Sequence, residues 1–270
     1  MTALTEKHLL IGSIALIAIA AVADLVLRFA GRSSVVSTVA LLGFATLGLV
    51  LAIAVRWIRE QQGPFLTLYE VLLSNLFSLS LIVLAVYAFA PALRITSIVV
   101  LPLFVVLGGW LLSAVAEAVP LPATFDNGWL WLHVASGKIF LGLCLVAAAG
   151  SLILLAGIGG FRRLSTDERG RLDTAVWPLL GLAFIAHSFM LIAGAVWAHS
   201  AWGRYWAWDP LETWSLITWL AIGLLMHARV TYRQMHPALA WGTVIMIFAL
   251  AFLTFFGVPF VSQAPHKGVM

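Results

Sequence analysis

The residues best suited to bind a ligand are concentrated in one stretch, residues 197–219. It reads WAHSAWGRYWAWDPLETWSLITW and holds six of the chain's twelve tryptophans. An aromatic belt at a membrane surface needs only single indole rings at headgroup depth, so this density exceeds what a belt requires. The stretch therefore predicts a binding surface for a large, flat, apolar ligand.

The same stretch contains the signal for a helix start. Asp209 suits the N-cap position, Pro210 suits the first helical position, and Glu212 stands at the spacing of a capping box. We therefore expect a loop to end and a membrane helix to begin at Asp209. Because a helix N-terminus favours negative charge, capping explains Asp209 and Glu212 better than direct chemistry does.

The composition predicts an integral membrane protein. Of 270 residues, 63% are hydrophobic and 10% charged, against about a quarter charged in soluble domains. The net charge of +4 and the pI near 9.6 do not point to nucleic acid, because the arginines lie mostly between apolar runs and orient the spans. The single cysteine, Cys144, lies in an apolar run, so any CxxC or disulfide chemistry must come from a partner.

Eight apolar runs predict an all-α bundle of about eight transmembrane helices, since a helix needs about 20 residues to cross the hydrocarbon core. We expect one transmembrane domain over residues 1–270. The first run lacks a strongly basic start and a clear cleavage site, which favours a retained span over a removed signal. The predicted helices cover residues 8–29, 35–57, 66–90, 96–118, 131–157, 174–197, 211–230 and 238–258.

The positive charges predict the orientation of the bundle. The connection 159–173 contains Arg162, Arg163, Arg169 and Arg171, which is the strongest cytoplasmic signal in the chain. Alternation then places both termini, the loop 119–130 and the Trp-rich segment (residues 197–219) on the extracytoplasmic side. Nine of the fifteen Lys and Arg fall inside and six outside.

The string WGRYWAWDPLETW resembles the tryptophan-rich WWD segment of haem-handling cytochrome c assembly proteins, above all the CcsA (ResC) type. Weaker likenesses are WLHV at 131–134, LLMHAR at 224–229, PFLTLYE at 64–70, and FFGV with the later His266. The resemblance therefore covers residues 64–266.

The resemblance implies a function in cytochrome c assembly with haem b as cofactor. Such a protein binds haem and presents it on the extracytoplasmic face, where thioether bonds form with the CxxCH segment of apocytochrome c. The implied partners are apocytochrome c, the lipid bilayer and a CcsB (ResB)-like membrane protein. The implied enzyme class is a haem lyase, or cytochrome c synthase, subunit; whether this chain itself is the enzyme stays open.

The resemblance and the orientation together select His133 and His266 as axial haem ligands and as the central residues of the reaction. Both are expected outside the membrane, flanking the Trp-rich segment. Two imidazoles on opposite faces hold haem iron rather than leave it reactive. The family ending resembles Gly-Leu-His-Ser-Tyr, whereas here His266 follows Ala264-Pro265.

Three other histidines lie near or within the spans. The resemblance makes His227, in the LHxR pattern, a ligand of haem inside the membrane, with a companion ligand from the CcsB-like partner. His187 is mid-span without a family counterpart; it could supply that ligand, but a hydrogen-bonded core position is favoured. His199 is expected to tune or cap the loop.

The remaining haem contacts are expected in the Trp-rich segment. Arg204 could grip a propionate, since guanidinium groups bind carboxylates bidentately. The other members of this cofactor-binding set are Trp202, Trp206, Trp208, Asp209 and Trp214.

Three other functions are compatible with parts of the pattern. A CcmC-type haem exporter or carrier would lack ligation activity, but eight spans and the LHxR histidine favour the CcsA type. A HemX-like regulatory protein would not need the dense WWD segment. A cytochrome b-like carrier needs paired histidines at matched depths on facing helices, and the histidines here are scattered.

Overall fold

The computed structural model describes residues 3–32, 34–63, 66–117, 119–157, 163–232 and 235–258. Over these ranges the chain is helical, with no β-strand. The helices are α1 Ala3–Phe29, α2 Val35–Glu60, α3 Leu68–Phe89, α4 Ser97–Ser113, α5 Gly128–Ala156, α6 Thr166–Trp202, α7 Pro210–Thr231 and α8 Pro237–Phe252. Short 3₁₀ turns cover Pro91–Thr96 and Ala123–Phe125, and a π-turn, Leu253–Gly257, follows α8. Eight helical segments are long and apolar enough to cross a membrane, which confirms the predicted fold class.

Helix α6 is longer at both ends than its apolar run predicts. It begins at Thr166 because Ser165 and Glu168 cap it reciprocally: Ser165 N donates to Glu168 Oε2 at 2.9 Å, and Glu168 N donates to Ser165 Oγ at 3.2 Å. It ends at Trp202 because Gly203 adopts φ 74°, the left-handed conformation that closes many helices. Capping interactions at the start and a left-handed glycine at the end, rather than the apolar boundary, therefore set the length of α6.

Helix α4 ends earlier than predicted. The expected span reached residue 118, whereas Ala114 already has extended backbone angles. Arg56 Nη2 donates to the carbonyl of Glu117 at 2.9 Å. This side chain from α2 thus satisfies a backbone group of the segment after α4, so that segment does not need to continue as helix.

The chain divides into two compact units. Unit 1 comprises Met1–Pro120 and Gly157–Arg171, and unit 2 comprises Leu121–Ala156 and Leu172–Gly268. The prediction of a single domain over residues 1–270 stays a prediction. In unit 1, α1 packs on α2 and α4, and α3 packs on α2 and α4. Small residues permit the close approach: a Cβ at Gly108 would lie 3.0 Å from Ile14.

A buried ionic cluster joins three helices of unit 1. Arg56 of α2 is 1% exposed and donates through Nε to Glu70 Oε1 of α3 at 3.0 Å. Arg56 Nη1 lies 3.6 Å from Glu6 Oε1 of α1, and Arg59 Nη1 lies 2.8 Å from Glu6 Oε2. The hydroxyl of Tyr69 donates to Glu6 Oε1 at 2.8 Å. The Tyr69-Glu70 pair, to which the sequence assigns no purpose, thus belongs to the contacts that hold α1, α2 and α3 together.

A second polar cluster lies near the other end of α1. The buried carboxylate of Asp24 accepts from Arg28 Nε at 3.0 Å and from Ser97 Oγ of α4 at 2.9 Å. It also accepts hydrogen bonds from Ser34 and Thr38, which lie at the start of α2. Helix α1 is therefore fixed by a satisfied carboxylate near each end.

Helix α5 is the central element of unit 2. Every residue in 140–151 is buried, as expected for a helix that is apolar all round. The small residues Ala147, Ala148, Ala149 and Gly150 belong to this run. Helix α8 packs on α5 and α7, and its π-turn brings the ring of Phe255 close to Gly137 of α5.

Candidate functional site

The loop between α6 and α7 carries four of the predicted ligand-binding residues, Arg204, Trp206, Trp208 and Asp209, and a capping box fixes its end. Glu212 N donates to Asp209 Oδ1 at 2.9 Å, while Asp209 N donates to Glu212 Oε2 at 3.3 Å. Pro210 is the first helical residue. The predicted helix start at Asp209 is confirmed.

Trp208, directly before this cap, has an unusual backbone. Its φ is 59°, in the left-handed region that bulky L residues rarely adopt. Its side chain is 70% exposed. Trp206 meets Trp208 edge-to-face, with ring centroids 5.8 Å apart, and the indole Nε1 of Trp206 is buried without an acceptor among the described residues. The pair thus offers one exposed aromatic face and one buried donor.

A second aromatic group surrounds the end of α6. The Trp197 and Trp202 rings are 4.9 Å apart and edge-to-face, and Phe125 meets Trp197 edge-to-face at 5.5 Å. Trp197 Nε1 donates to the carbonyl of Thr124 at 2.8 Å. The indoles are therefore held in two edge-to-face pairs, with interplanar angles of 65° and 81°, rather than as one parallel stack.

His133, in the second turn of α5, lies against this second group. Its ring is stacked near Trp197 with centroids 6.3 Å apart and planes at 24°. Its Nδ1 lies 2.8 Å from the carbonyl oxygen of Met190 on α6. Because a carbonyl can only accept, Nδ1 carries the proton and Nε2 carries the lone pair in the neutral ring. This is the tautomer in which the other nitrogen can bind a metal.

Gly194 makes the approach of His133 possible. A Cβ at this position of α6 would lie 2.5 Å from Nδ1 of His133 and 2.8 Å from its Cε1. The ring thus occupies the space that a side chain would take. A larger residue at 194 would displace the imidazole from the Met190 carbonyl.

His187 does not occupy the hydrogen-bonded core position that the sequence favoured. It is 1% exposed and stacks on Phe140 of α5, with centroids 4.0 Å apart. Neither ring nitrogen has a hydrogen-bond partner within the described ranges. Stacking on Phe140 therefore holds the imidazole ring of His187 in place, and its two nitrogens do not contribute to this packing.

His227 lies on the exposed side of α7. Its Nε2 is 3.4 Å from Thr231 Oγ1, one turn further along the helix. The ring faces away from the packed interior of unit 2. A ligand bound by His227 would therefore need its other contacts from outside this unit.

Sequence reasoning missed a polar cluster near the same end of α7. Asp173 Oδ1 of α6 accepts from Trp177 Nε1 at 3.2 Å and from Trp241 Nε1 of α8 at 2.7 Å. Arg229 of α7 lies 3.6 Å from Asp173 Oδ2 and stacks over the Trp177 ring at 3.6 Å. The sequence signal for this cluster is Asp173 itself, an acidic residue directly before the predicted span 174–197.

The structure brings some of the predicted site residues together and leaves others apart. His133 lies near Trp197, which contacts Trp202, and Trp206 pairs with Trp208. Arg204 is exposed in the loop, and Trp214 is half-buried in the second turn of α7. His199 stacks on Tyr205 with centroids 4.2 Å apart. His266 lies outside the described residues.

The fold and the site together define a polytopic helical membrane protein. Its tryptophan-rich loop ends at the capping box of α7. The imidazole of His133 is oriented by the Met190 carbonyl in the same unit. The sequence model of the family described as "Cytochrome C assembly protein" matches residues 1–266, so the chain belongs to this family. Its function lies in cytochrome c biogenesis.

Individual relatives agree with this assignment. The chain is 30% identical to the cytochrome c biogenesis protein CcsA of Gloeobacter violaceus, over 78% of this chain and 80% of that protein. It is 27% identical to CcsA of Chlamydomonas reinhardtii, over 84% and 67%. A solved structure of the cytochrome c heme lyase CcmF is similar in fold, with a TM-score of 0.74 at 19% identity. The match covers 99% of this chain but about half, 48%, of the CcmF chain.

Proposed function

We propose that the protein receives haem b and presents it on the extracytoplasmic face of the membrane for covalent attachment to apocytochrome c. The observation that carries this proposal is the hydrogen bond between His133 Nδ1 and the Met190 carbonyl, beside Trp197. Metal-ligating imidazoles are normally oriented by such a bond through their other nitrogen. Membership of the cytochrome c assembly family supplies the context in which that metal is haem iron.

The surrounding residues fit a haem group. The exposed Trp208 ring suits the apolar face of a macrocycle. The buried N–H of Trp206 and the exposed guanidinium of Arg204 are donors suited to the two propionates. Trp202, Trp214 and Asp209 complete this binding segment in the proposal.

In the proposed reaction the protein serves as a haem lyase subunit, and its residues bind and orient the haem. Bound haem supplies the vinyl carbons, and each cysteine thiol of the CxxCH segment adds across one vinyl double bond to give a thioether. His133 and His266 would hold the iron, and the indoles would exclude water and oxygen. These residues would contribute positioning rather than acid–base chemistry to the attachment.

The proposal also includes a partner protein that supplies a haem ligand. The exposed position of His227 on α7 suits a ligand to haem inside the membrane whose second axial group comes from another chain. An ionisable side chain within a membrane span is by default a hypothesis for a functional site. A CcsB (ResB)-like membrane protein is the partner that we propose for this role.

The test of the proposal is removal of the His133 imidazole. His133→Ala should lower haem bound per purified protein several-fold and lower cytochrome c maturation in cells, because the oriented ligand is lost. Added imidazole should restore part of the bound haem by occupying the vacated axial position. His236→Ala is the matched control, since His236 is exposed and its side chain makes no capping bond. Unchanged haem and maturation in His133→Ala would remove the ligand assignment.

We also propose that both termini and the Trp-rich segment are extracytoplasmic. The 37 residues of α6 make a helix about 55 Å long, which exceeds the hydrocarbon thickness of about 30 Å. A helix of this length that crosses the bilayer has its two ends on opposite sides. In a Cys144→Ala background, Ser200→Cys should react with an impermeant thiol reagent in intact cells, whereas Asp167→Cys should react only after lysis. The reverse labelling pattern would move the Trp-rich segment to the cytoplasmic side.

A further inference from the structure

The backbone at Trp208 differs from every other positive-φ position among the described residues. Three of those positions are glycines, and the remaining one, Gln61, is the left-handed cap at the end of α2. Trp208 is neither a glycine nor a helix C-cap; it precedes the N-cap of α7. A bulky residue in this conformation persists only where its surroundings impose it.

Glu212 accepts hydrogen bonds from the backbone on both sides of Trp208. Its Oε2 accepts from Ala207 N at 2.7 Å and from Asp209 N at 3.3 Å, which are the residues directly before and after Trp208. The carbonyl of Trp208 accepts from Thr213 Oγ1 at 3.4 Å. The peptide groups around Trp208 are thus held from α7, while its side chain points away.

The capping box of α3 shows that this arrangement is not a general property of the motif. There Glu70 Oε2 accepts from Leu66 N and Thr67 N, each at 3.1 Å, and these residues are consecutive. Glu212 instead bonds the residues five and three positions before it and skips the one between. The skipped residue is Trp208, and its peptide must turn outward to let its two neighbours reach one oxygen.

We propose that Glu212 is a positioning residue that holds Trp208 in its left-handed conformation and so displays the indole to a flat ligand. Glu212 is 9% exposed and acts through the backbone rather than by touching the ligand. The display function rests on the proposed haem-presenting role. The effect of Glu212 on the backbone conformation of Trp208 does not rest on that role, because it involves only residues of this chain.

The test uses ¹⁹F NMR of the protein labelled with 5-fluorotryptophan, with the Trp208 resonance assigned by its absence in Trp208→Phe. Glu212→Ala should shift or broaden this resonance in the haem-free protein. Glu212→Gln, which keeps a carbonyl acceptor, should resemble the wild type. The resonance of Trp241, which is bonded to Asp173, reports that unit 2 remains folded.

Haem retention is the second readout. Glu212→Ala should retain haem about tenfold less, since the left-handed region is disfavoured for L residues by a factor of this order. In a Trp208→Gly background, where no indole remains to be displayed, Glu212→Ala should cause no further loss. An unchanged Trp208 resonance in Glu212→Ala would overturn the positioning role. A shifted resonance with full haem retention would establish it and overturn the display of haem by Trp208.

Discussion

The two units use their buried polar groups differently. In unit 1 the carboxylates of Glu6, Asp24 and Glu70 are buried, and each is bonded to groups from other parts of the unit. In unit 2 the buried Nε1 of Trp206 and both nitrogens of His187 have no partner within the described ranges. Buried polar atoms are nearly always paired, so those that are not need an explanation. The buried carboxylates of unit 1 hold helices together, whereas the buried imidazole of His187 in unit 2 is held by stacking on Phe140 rather than by hydrogen bonds.

The largest effect should follow from breaking the ionic cluster of unit 1. Arg56→Met leaves the buried carboxylates of Glu6 and Glu70 without their shared cation, which should cost about 3–5 kcal/mol of unfolding free energy. Thermal unfolding in detergent would show this as a much lower midpoint or as loss of folded protein. Arg171→Met is the control, because its pair with Asp167 is exposed and should contribute less than about 1 kcal/mol. A stable Arg56→Met protein would contradict the structural role of the cluster.

A smaller loss should follow from Asp173→Ala in unit 2. The change removes the acceptor shared by Trp177 and Trp241, and leaving such donors unpaired should cost about 1–3 kcal/mol. Asp173→Asn keeps an oxygen acceptor and should lose less. The measurement is again the unfolding midpoint. Equal midpoints for Asp173→Ala and the wild type would show that α6, α7 and α8 are held by apolar packing alone.

The smallest effect, with the opposite sign, should come from His187→Leu. The change removes two unpaired buried nitrogens, worth about 1–3 kcal/mol, and loses one aromatic contact, worth about 0.5–1.5 kcal/mol. Stability should therefore rise by about 1 kcal/mol, and bound haem should stay unchanged. His187→Gln, which keeps a polar side chain, should bring no gain. Haem loss in His187→Leu with a normal unfolding midpoint would instead identify His187 as an iron ligand.

The sequence predicted the features that depend on local composition. Eight helices follow from apolar runs of sufficient length, and the start of α7 follows from the spacing of Asp209, Pro210 and Glu212. The boundaries of α6 were wrong by several residues because Ser165 and Glu168 extend the helix into polar sequence. A hydropathy pattern does not report such capping.

Features that depend on distant contacts were beyond the reach of the sequence. The orientation of the His133 ring needs the Met190 carbonyl and the absence of a side chain at Gly194, both on another helix. The left-handed backbone of Trp208 depends on which amide groups Glu212 selects, and the same motif at Glu70 selects differently. Motif spacing predicts that a capping box forms, but it does not predict which residue beside the box adopts the left-handed conformation.

The burial of α5 has a consequence for the order in which the protein assembles in the bilayer. Synthesis proceeds from the N-terminus, so α5 enters the membrane before α6, α7 and α8 exist. Helix α8, which packs on α5 in the finished unit, is then still absent. The Met190 carbonyl that orients His133 also belongs to a later helix. In the proposed function, haem loading is therefore a step that follows insertion of the last spans, and a chain interrupted within α6 would hold His133 without the Met190 carbonyl beside it.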